Sequence, residues 1–306
     1  MKIFVTGASG WIGSAIVSEL RGAGHEVVGL ARSDASAQRL QTAGAAVYRG
    51  DLDDPEGLAR AASNSDGVIH MAFQHEVAFA GDFPAAAAAD RRAVEAMGNA
   101  LANSNRPLVL ASGTAGLTPG RPTTENDGLM PSDETRANPA ALRQATALLA
   151  LSLRGMGVRS SVLRLPPTVH GDGDNGFIFT LVGIARKQGV AGYVGDGENR
   201  WPAVHRSDAA RLARLAVESA PAGSVIHAVG EEGVPFRSIA EAMGKGLGIP
   251  ASSIAPAGAA EHFGYLASFV ALDIPASSAI TRELLGWQPT GPRLIEDLTQ
   301  SHYYKV

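Results

Sequence analysis

Four polar side chains follow strand-like segments of the sequence and could act on a small substrate. Ser112 and Thr114 lie at the carboxyl end of the segment "PLVLAS", and His75 and His170 follow two other strand-like segments. Hydroxyl groups at such strand ends can orient a substrate, and histidine is the usual side chain for proton transfer near pH 7. A plain turn role for the hydroxyl residues and a loop or wall role for the histidines are the alternatives.

A glycine-rich segment near the N-terminus, "TGASGWIG", has the spacing of a dinucleotide-binding turn. Gly7, Gly10 and Gly13 follow a strand and open a helix, which is the context that this pattern requires. Gly7 permits a tight turn, Gly10 permits close approach of a pyrophosphate, and Gly13 permits the helix to pack on the sheet. The helix N-terminus also offers free N–H groups to an anion. We therefore expect cofactor contacts from Gly7, Ser9, Gly10, Trp11, Ile12 and Gly13, a purely structural turn being the alternative.

The end of the second strand, "LARSD", bears on which dinucleotide binds. An NAD site usually has a carboxylate here for the ribose 2′-hydroxyl, but Ala31 occupies the place and Arg32 follows. A guanidinium would pair with the 2′-phosphate of NADP, and Ser33 could add a hydroxyl donor. The sequence therefore predicts NADP(H). In the alternative, Arg32 is a solvated loop residue and Asp34 binds the ribose of NAD.

Strand-like and helix-like segments alternate over the first half of the chain. Apolar runs such as "KIFVTG", "EVVGL" and "PLVLAS" are separated by helical patterns at 11–23, near 36–43, near 55–62, around 84–104 and at 139–154. This alternation predicts an α/β fold with a Rossmann-type, doubly wound parallel sheet. We expect residues 1–166 to form the NADP-binding domain.

The pattern changes after Pro167. A loop, "GDGDNG", precedes a helix that ends near Lys187, and short strands and helices follow. We expect residues 167–306 to form mostly a smaller α+β substrate lobe, with some segments returning to the sheet. Tyr193 and Trp201 are predicted to be core residues of this lobe, with a place in a pocket wall as the alternative.

The composition excludes several classes of function. The chain has 306 residues, a formal net charge of −4 and no cysteine. Charges of both signs are interspersed, so the sequence predicts a small-molecule partner, no nucleic acid and no membrane. The absence of cysteine excludes disulfides, and the eight histidines lack His-x-x-x-His spacing, so no metal is expected. We expect a cytoplasmic protein without an export signal or anchor, because the first apolar run ends at once in "TGASG".

Six segments stand in the order that one protein family shows: "TGASGWIG", "GDLDD", "VIHMAF", "VLRLPPTVHGDGD", "AVHRSDAA" and "LLGWQP". The chain resembles the extended and atypical short-chain dehydrogenases/reductases, which include nucleotide-sugar epimerases and dehydratases. The resemblance implies a structural role for Asp208. It also implies six cofactor contacts: Asp51 and Leu52 at the adenine, Ala72 and Phe73 along the cofactor channel, and Pro166 and Val169 at the nicotinamide carboxamide.

The family's catalytic Tyr-x-x-x-Lys pair is absent from this chain. By the family's spacing, the tyrosine would stand at Asn138 or Pro139 and the lysine at Leu142 or Arg143. No shift of register supplies the pair, because the lysines occur only at 2, 187, 245 and 305 and the tyrosines only at 48, 193, 265, 303 and 304. Asp90 stands where the family has asparagine. The resemblance is therefore to an atypical subgroup, whose catalytic tetrad is poorly kept.

Arg143 is the cationic one of the two residues at which the lysine would stand. A guanidinium stays protonated at neutral pH, so its role would be electrostatic, in holding a ribose hydroxyl or a phosphate. A surface arginine is the alternative, because Arg143 lies beside the predicted buried stripe of its helix. That stripe consists of Leu142, Leu149, Leu153 and Met156.

The sequence thus predicts an NADP(H)-dependent oxidoreductase that transfers hydride to or from a small carbonyl- or imine-type substrate, and it allows a homodimer. Ser112 or Thr114 would orient the substrate, and His75, His170 or water would supply a proton. Without a tyrosine acid, we expect imine-like or self-protonating substrates to react better than simple ketones. A non-catalytic NADP(H)-binding redox sensor is the alternative.

Overall fold

Strands and helices alternate along the N-terminal half of the computed structural model, which describes residues 1–115, 117–118, 120–128 and 139–305. The strands are β1 (Lys2–Thr6), β2 (Glu26–Ala31), β3 (Ala46–Arg49), β4 (Gly67–His70), β5 (Pro107–Gly113) and β6 (Arg159–Leu165). The helices are α1 (Trp11–Gly22), α2 (Asp34–Thr42), α3 (Pro55–Ser63), α4 (His75–Phe79), α5 (Phe83–Ala100) and α6 (Pro139–Ser152). Asn138, a predicted position of the missing tyrosine, lies outside the described residues.

The main sheet is parallel, and its strand order reverses between β1 and β4. Within the described residues it has seven strands in the order β10-β6-β5-β4-β1-β2-β3, and β10 (Ser224–His227) returns to it from the C-terminal half. The predicted Rossmann-type fold is therefore confirmed. In the register, Thr6 at the end of β1 lies beside His70 at the end of β4. Open α/β sheets bind ligands outside such a reversal point.

Side chains of β1 alternate between the two faces of the sheet, and each face packs on helices. Ile3 and Val5 belong to an apolar cluster that includes residues of α1 and α8 (Arg206–Ser219). Phe4 belongs to the cluster that includes residues of α3, α5 and α6. Successive side chains of a strand point to opposite faces. Strands covered on both faces are consequently apolar throughout, as "KIFV" is.

The prediction that Met156 belongs to the buried face of α6 is wrong. Leu153 is buried, but 40% of Met156 is exposed. The α-helix ends at Ser152, and residues 153–156 form a tighter 3₁₀ turn that stops at Gly157 in the left-handed region. The change from 3.6 to 3.0 residues per turn alters the direction of the side chains. Met156 therefore leaves the buried face.

The C-terminal half contributes two small sheets and the helices around them. Its other strands are β7 (Thr168–His170), β8 (Ala191–Val194), β9 (Arg200–His205), β11 (Glu231–Pro235) and β12 (Ala251–Ile254). Its other helices are α7 (Phe177–Gln188), α9 (Phe236–Leu247), α10 (Ala259–Phe263), α11 (Ala267–Val270), α12 (Ala279–Leu285) and α13 (Leu294–Asp297). The sheets have the orders β11-β9-β7 and β12-β8. Among the described residues, no helix has the length and apolar character needed to cross a membrane.

A separate apolar core holds this half together. Trp201 is completely buried in it and packs edge-on against Phe236, with 5.0 Å between ring centroids. Tyr193 is half-buried against the same cluster. The prediction that these two aromatic residues are lobe core is confirmed for Trp201, and Tyr193 lies at the edge of that core.

Asp208 joins α8 to a C-terminal segment of the chain. Its buried carboxylate accepts backbone N–H bonds from Thr290 at 3.0 Å and from Gly291 at 2.8 Å, and it accepts one from Arg211 at 2.7 Å. Two backbone bonds and one charged partner satisfy this buried carboxylate. Asp208 thus has the structural position that the resemblance implied.

Candidate functional site

The turn between β1 and α1 can be built only with glycine at two of its three predicted positions. Gly7 has φ +65°, and a Cβ there would lie 2.8 Å from the backbone nitrogen of Ala72. A Cβ on Gly13 would overlap the carbonyl oxygen of Gly7. A Cβ on Gly10 would meet only that same oxygen, at 3.1 Å. Gly7 and Gly13 therefore serve backbone packing, whereas Gly10 is exposed.

The N-terminus of α1 is arranged to receive an anion. Gly10 is the cap residue, no side chain accepts a hydrogen bond at the cap, and the first turn carries no acidic residue. The first N–H groups of an α-helix have no acceptor within the helix. Together with the positive end of the helix dipole, they fit the pyrophosphate of a dinucleotide. Cofactor contacts from this turn, including Ser9 and Ile12, remain predictions.

Trp11 is held by two residues that follow β7 and β9. Its indole Nε1 donates to the carbonyl oxygen of Asp172 at 3.4 Å, and the Arg206 guanidinium lies 5.2 Å from its ring. Arg206 also donates to the Ser14 hydroxyl. Arg206 belongs to the segment "AVHRSDAA", but nothing in that segment indicates that its arginine reaches the start of α1.

At the end of β2, an acidic partner for Arg32 comes from another part of the chain. The Arg32 Nη2 donates to Glu76 Oε1 of α4 at 2.8 Å, and both side chains are exposed. This hydrogen bond and the charge of Arg32 lower the pKa of Glu76. Ala31 is buried, and the carboxylate that lies beside Arg32 comes from α4 and not from β2. The sequence analysis missed Glu76, because no motif links residues 44 positions apart.

Two neighbouring polar residues have local partners of their own. The Ser33 hydroxyl accepts from the backbone nitrogen of Ser36 at 3.2 Å and caps α2. Asp34 lies against Arg49, with 2.5 Å between Oδ1 and Nη2. Ser33 thus has a structural role as a helix cap. The side chains of Ser33 and Asp34 are both hydrogen-bonded within the protein.

The predicted adenine contacts differ in exposure. Asp51 is exposed, and its Oδ1 accepts from the backbone nitrogen of Asp53 at 2.8 Å. Leu52 is buried in the apolar cluster that includes Phe4 and Leu30. The adenine contacts of both residues stay predictions.

A buried hydrogen-bonded chain links the glycine turn to α5. The Thr6 hydroxyl oxygen accepts from the backbone nitrogens of Met71 and Ala72, both at 3.2 Å. It lies 2.6 Å from His70 Nδ1, and His70 Nε2 lies 3.1 Å from Asp90 Oδ1. Because Thr6 already accepts twice, its O–H donates to Nδ1, which leaves the proton of His70 on Nε2, facing Asp90. Asp90 thus acts through His70 on the segment that follows β4.

Arg143 reaches the ends of β4 and β5. Its Nη2 donates to the carbonyl oxygen of Ala111 at 2.8 Å, and its guanidinium carbon lies 4.3 Å from the ring centroid of Phe73. Burial lowers the pKa of Arg143, and the charge of Asp90 opposes this shift. Arg143 is therefore a half-buried cation stacked on an aromatic ring, and the alternative of a surface arginine is wrong.

His75 lies beside this cation, at the start of α4. Its ring centroid is 5.1 Å from that of Phe73. Loss of solvation lowers the pKa of His75 below its usual 6.5, and the charge of Arg143 lowers it further. The residue as a whole is nonetheless exposed at the surface. We call Phe73, His75 and Arg143 the Arg143 cluster.

The other predicted reaction-site residues divide between the sheet edge and the interior. Ser112 is half-buried at the end of β5, whereas Thr114 is buried, and its backbone nitrogen donates to the Leu165 carbonyl at 3.0 Å. Among the described residues, the Thr114 hydroxyl has no hydrogen-bond partner. Pro166 and Val169, which follow β6, are both buried.

His170 does not join the Arg143 cluster. It is fully buried in β7, and its Nδ1 lies 2.9 Å from Asp297 Oδ2 at the end of α13. Its ring packs edge-on against His205, with 5.5 Å between centroids. A buried histidine paired with a carboxylate is inaccessible to a substrate at the sheet edge. The structure thus speaks against His170 as the proton donor.

The sequence model of the NAD-dependent epimerase/dehydratase family matches residues 3–229. The chain belongs to this family. The match spans β1 to the end of β10, and thus the whole main sheet with its glycine turn.

Individual relatives cover most of the chain. An uncharacterised protein of Schizosaccharomyces pombe is 45% identical over 304 residues, which is 99% of this chain and 100% of that protein. A 2-alkyl-3-oxoalkanoate reductase of Stenotrophomonas maltophilia is 29% identical over 263 residues, covering 82% of this chain and 77% of the relative. A dTDP-glucose 4,6-dehydratase from Streptomyces venezuelae, solved with NAD, shares the fold, with a TM-score of 0.77 at 20% identity and 99% and 97% coverage of the two chains.

The glycine positions predict two different outcomes of substitution. Gly10→Val should raise the dissociation constant of NADPH about 100-fold or more, because a branched side chain would stand where pyrophosphate approaches. Gly13→Ala should lower the melting temperature by several degrees, because its Cβ overlaps Gly7 and overpacking costs about 1–3 kcal/mol. Fluorescence titration and thermal unfolding measure the two effects.

Gly22→Val is the matched control, since a Cβ there meets nothing within 4 Å at the far end of the same helix. Unaltered NADPH affinity in Gly10→Val would show that the pyrophosphate binds elsewhere.

Proposed function

We propose that the protein is an NADP(H)-dependent oxidoreductase that transfers hydride between the cofactor and a small carbonyl compound at the ends of β4 and β5. The observation that carries this proposal is the position of the Arg143 cluster. Ala72 packs directly on Gly7, and Phe73 follows it beneath the Arg143 guanidinium. The cationic group thus lies beside the turn that suits a dinucleotide.

The residues present fit a nicotinamide dinucleotide. The uncapped start of α1 suits its pyrophosphate, and Arg32 suits a 2′-phosphate. When bound, the cofactor supplies or accepts the hydride. The protein's own residues must bind it, orient the second substrate and manage one proton.

Arg143 would stabilise negative charge on a carbonyl oxygen during reduction. A half-buried guanidinium is a strong hydrogen-bond donor to an anion, and a positioned donor of this kind is worth about 10²–10³ in rate. The same charge would repel a cationic iminium. The position of Arg143 therefore favours a carbonyl substrate over the imine that the missing tyrosine alone suggested.

His75 and Ser112 complete the proposed reaction site. Ser112, half-buried at the end of β5, would orient the substrate oxygen by hydrogen bonding. The lowered pKa of His75 keeps its imidazole neutral at pH 7, so it can accept the proton of an alcohol in oxidation. In reduction, the rarer imidazolium would return that proton. The reductase name of the relative from Stenotrophomonas maltophilia is in line with this direction of chemistry.

The function is tested by the consumption of NADPH with a panel of ketones and aldehydes. Arg143→Met should lower kcat/KM for carbonyl reduction about 100-fold, because the charge on the developing alkoxide loses its partner. Arg91→Met, on the exposed face of α5, is the control. Tight NADPH binding without turnover of any carbonyl compound would favour the redox sensor, and equal activity of the two variants would remove Arg143 from the mechanism.

The pKa of His75 predicts opposite pH dependences for the two directions. Oxidation of the alcohol should be constant at neutral pH and fall only at a pH below 6.5, because His75, whose pKa is lowered, accepts a proton only in its neutral form. Reduction should rise as the pH falls through the same range. In His75→Ala both profiles should become flat, whereas His25→Ala, at the opposite edge of the sheet, should keep them. Wild-type profiles that persist in His75→Ala would assign the proton to another group.

Cofactor preference depends on competition for Arg32. NADPH should bind at least about tenfold more tightly than NADH, and Arg32→Ala should remove most of the difference. Glu76→Gln should tighten NADPH binding several-fold, because the carboxylate no longer competes with a 2′-phosphate for the guanidinium. Arg60→Ala on α3 is the control for loss of one exposed arginine. Equal dissociation constants for the two cofactors in the unchanged protein would refute the preference.

A further inference from the structure

Four aromatic rings form a continuous run from the Arg143 cluster to the C-terminal lobe. The ring centroids of Phe73 and His75 are 5.1 Å apart. The rings of His75 and Phe79 are stacked, with 5.7 Å between their centroids, and the centroids of Phe79 and Tyr265 are 6.4 Å apart. Phe79 ends α4, and Tyr265 lies between α10 and α11. We call this the aromatic run. It connects the two halves of the chain.

The outer end of the aromatic run is unusually exposed. Phe79 is 75% exposed and Tyr265 is 73% exposed, although each is among the larger apolar side chains. Isolated exposed apolar residues need no explanation, but two that meet across two lobes form a patch.

The inner end of the aromatic run lies at the proposed reaction site. The Arg143 guanidinium stacks on Phe73 at 4.3 Å and donates to Ala111 at the end of β5. A carbonyl oxygen directed at this guanidinium would place the remainder of the substrate along the rings. Flat aromatic groups gain about 0.5–1.5 kcal/mol from such ring contacts beyond the burial of their area.

We propose that the aromatic run is the substrate-binding wall and that the substrate is an aryl carbonyl compound, whose ring packs on Phe79 and Tyr265. This inference rests on the proposed function, since it assumes that the carbonyl reacts at the Arg143 cluster. Phe79 stacks on His75 on one side, and Tyr265 of the C-terminal lobe contacts the Phe79 ring at a tilt, so that both outer rings are available to an aryl group. Specificity for the aryl group thus resides in two side chains outside the cofactor turn.

The test compares an aryl ketone with a small aliphatic ketone of similar reactivity. Phe79→Ala and Tyr265→Ala should each raise KM for the aryl ketone about tenfold and change kcat little, because they remove binding and not chemistry. KM for the aliphatic ketone should stay unchanged. The matched control is Phe179→Ala, a phenylalanine of α7 that is 53% exposed and is not part of the run. Truncation of such exposed side chains leaves folding intact.

A binding measurement separates this inference from the proposed function. Calorimetric titration of the NADP⁺-loaded protein with the aryl ketone measures binding alone, because neither the oxidised cofactor nor the ketone has a hydride to transfer. About tenfold weaker binding in Phe79→Ala and Tyr265→Ala, but not in Phe179→Ala, would support the wall even if every ketone proved inert. Equal effects of all three variants would overturn it. A loss of self-association in Phe79→Ala or Tyr265→Ala, with binding unchanged, would also overturn it and assign the patch to a second copy of the chain.

Discussion

The hydroxyl group of Thr6 holds together the two parts of the site. It accepts the N–H groups of Met71 and Ala72, which follow β4, and it donates to His70, which is anchored by the buried Asp90. With these bonds in place, Ala72 packs so closely on the neighbouring turn that only glycine fits at position 7. The turn that suits a dinucleotide and the segment that carries Phe73 are thus joined by satisfied, buried hydrogen bonds, which leave little freedom for either to move alone.

In the proposed site, the Arg143 guanidinium offers a different kind of chemistry from the ammonium group of a lysine. A guanidinium is planar and can stack on the Phe73 ring while donating to the Ala111 carbonyl, which a compact ammonium group cannot do in the same way. The result is a fixed positive field at the strand ends without an adjoining tyrosine acid. In the proposed mechanism, charge stabilisation and proton transfer are divided between Arg143 and His75, whose neutral form is favoured by loss of solvation and then by the charge of Arg143.

Buried polar residues hold the C-terminal half together, among them His170, which the sequence offered as a proton donor. His170 is paired with Asp297, and Asp208 binds the backbone at Thr290 and Gly291. Each pair is buried and joins segments far apart in the sequence. Since an unpaired charge in such a place would be costly, these contacts account for the residue types without any reaction. They also bring the C-terminal segments against β7 and α8.

The sequence by itself determined the alternating α/β fold, the glycine turn and the absence of the Tyr-x-x-x-Lys pair. These features depend on local spacing and on the apolar character of each strand, and both can be read along the chain. It also placed Ser112 and His75 near the ends of strands of one parallel sheet. The end of α6 was predicted less well, because a local tightening of the helix turned Met156 outward.

Only the tertiary structure decided which of these residues meet. It paired Arg32 with Glu76, buried His170 against Asp297, stacked Arg143 on Phe73, and brought Phe79 of α4 to Tyr265 of the C-terminal lobe. Each of these contacts joins residues that are distant in the sequence, and no periodicity of the sequence records the distance between them. Such contacts depend on how the helices pack on the sheet and on how the two halves of the chain fold against each other. Side chains can therefore meet in space without any regular spacing between them in the sequence.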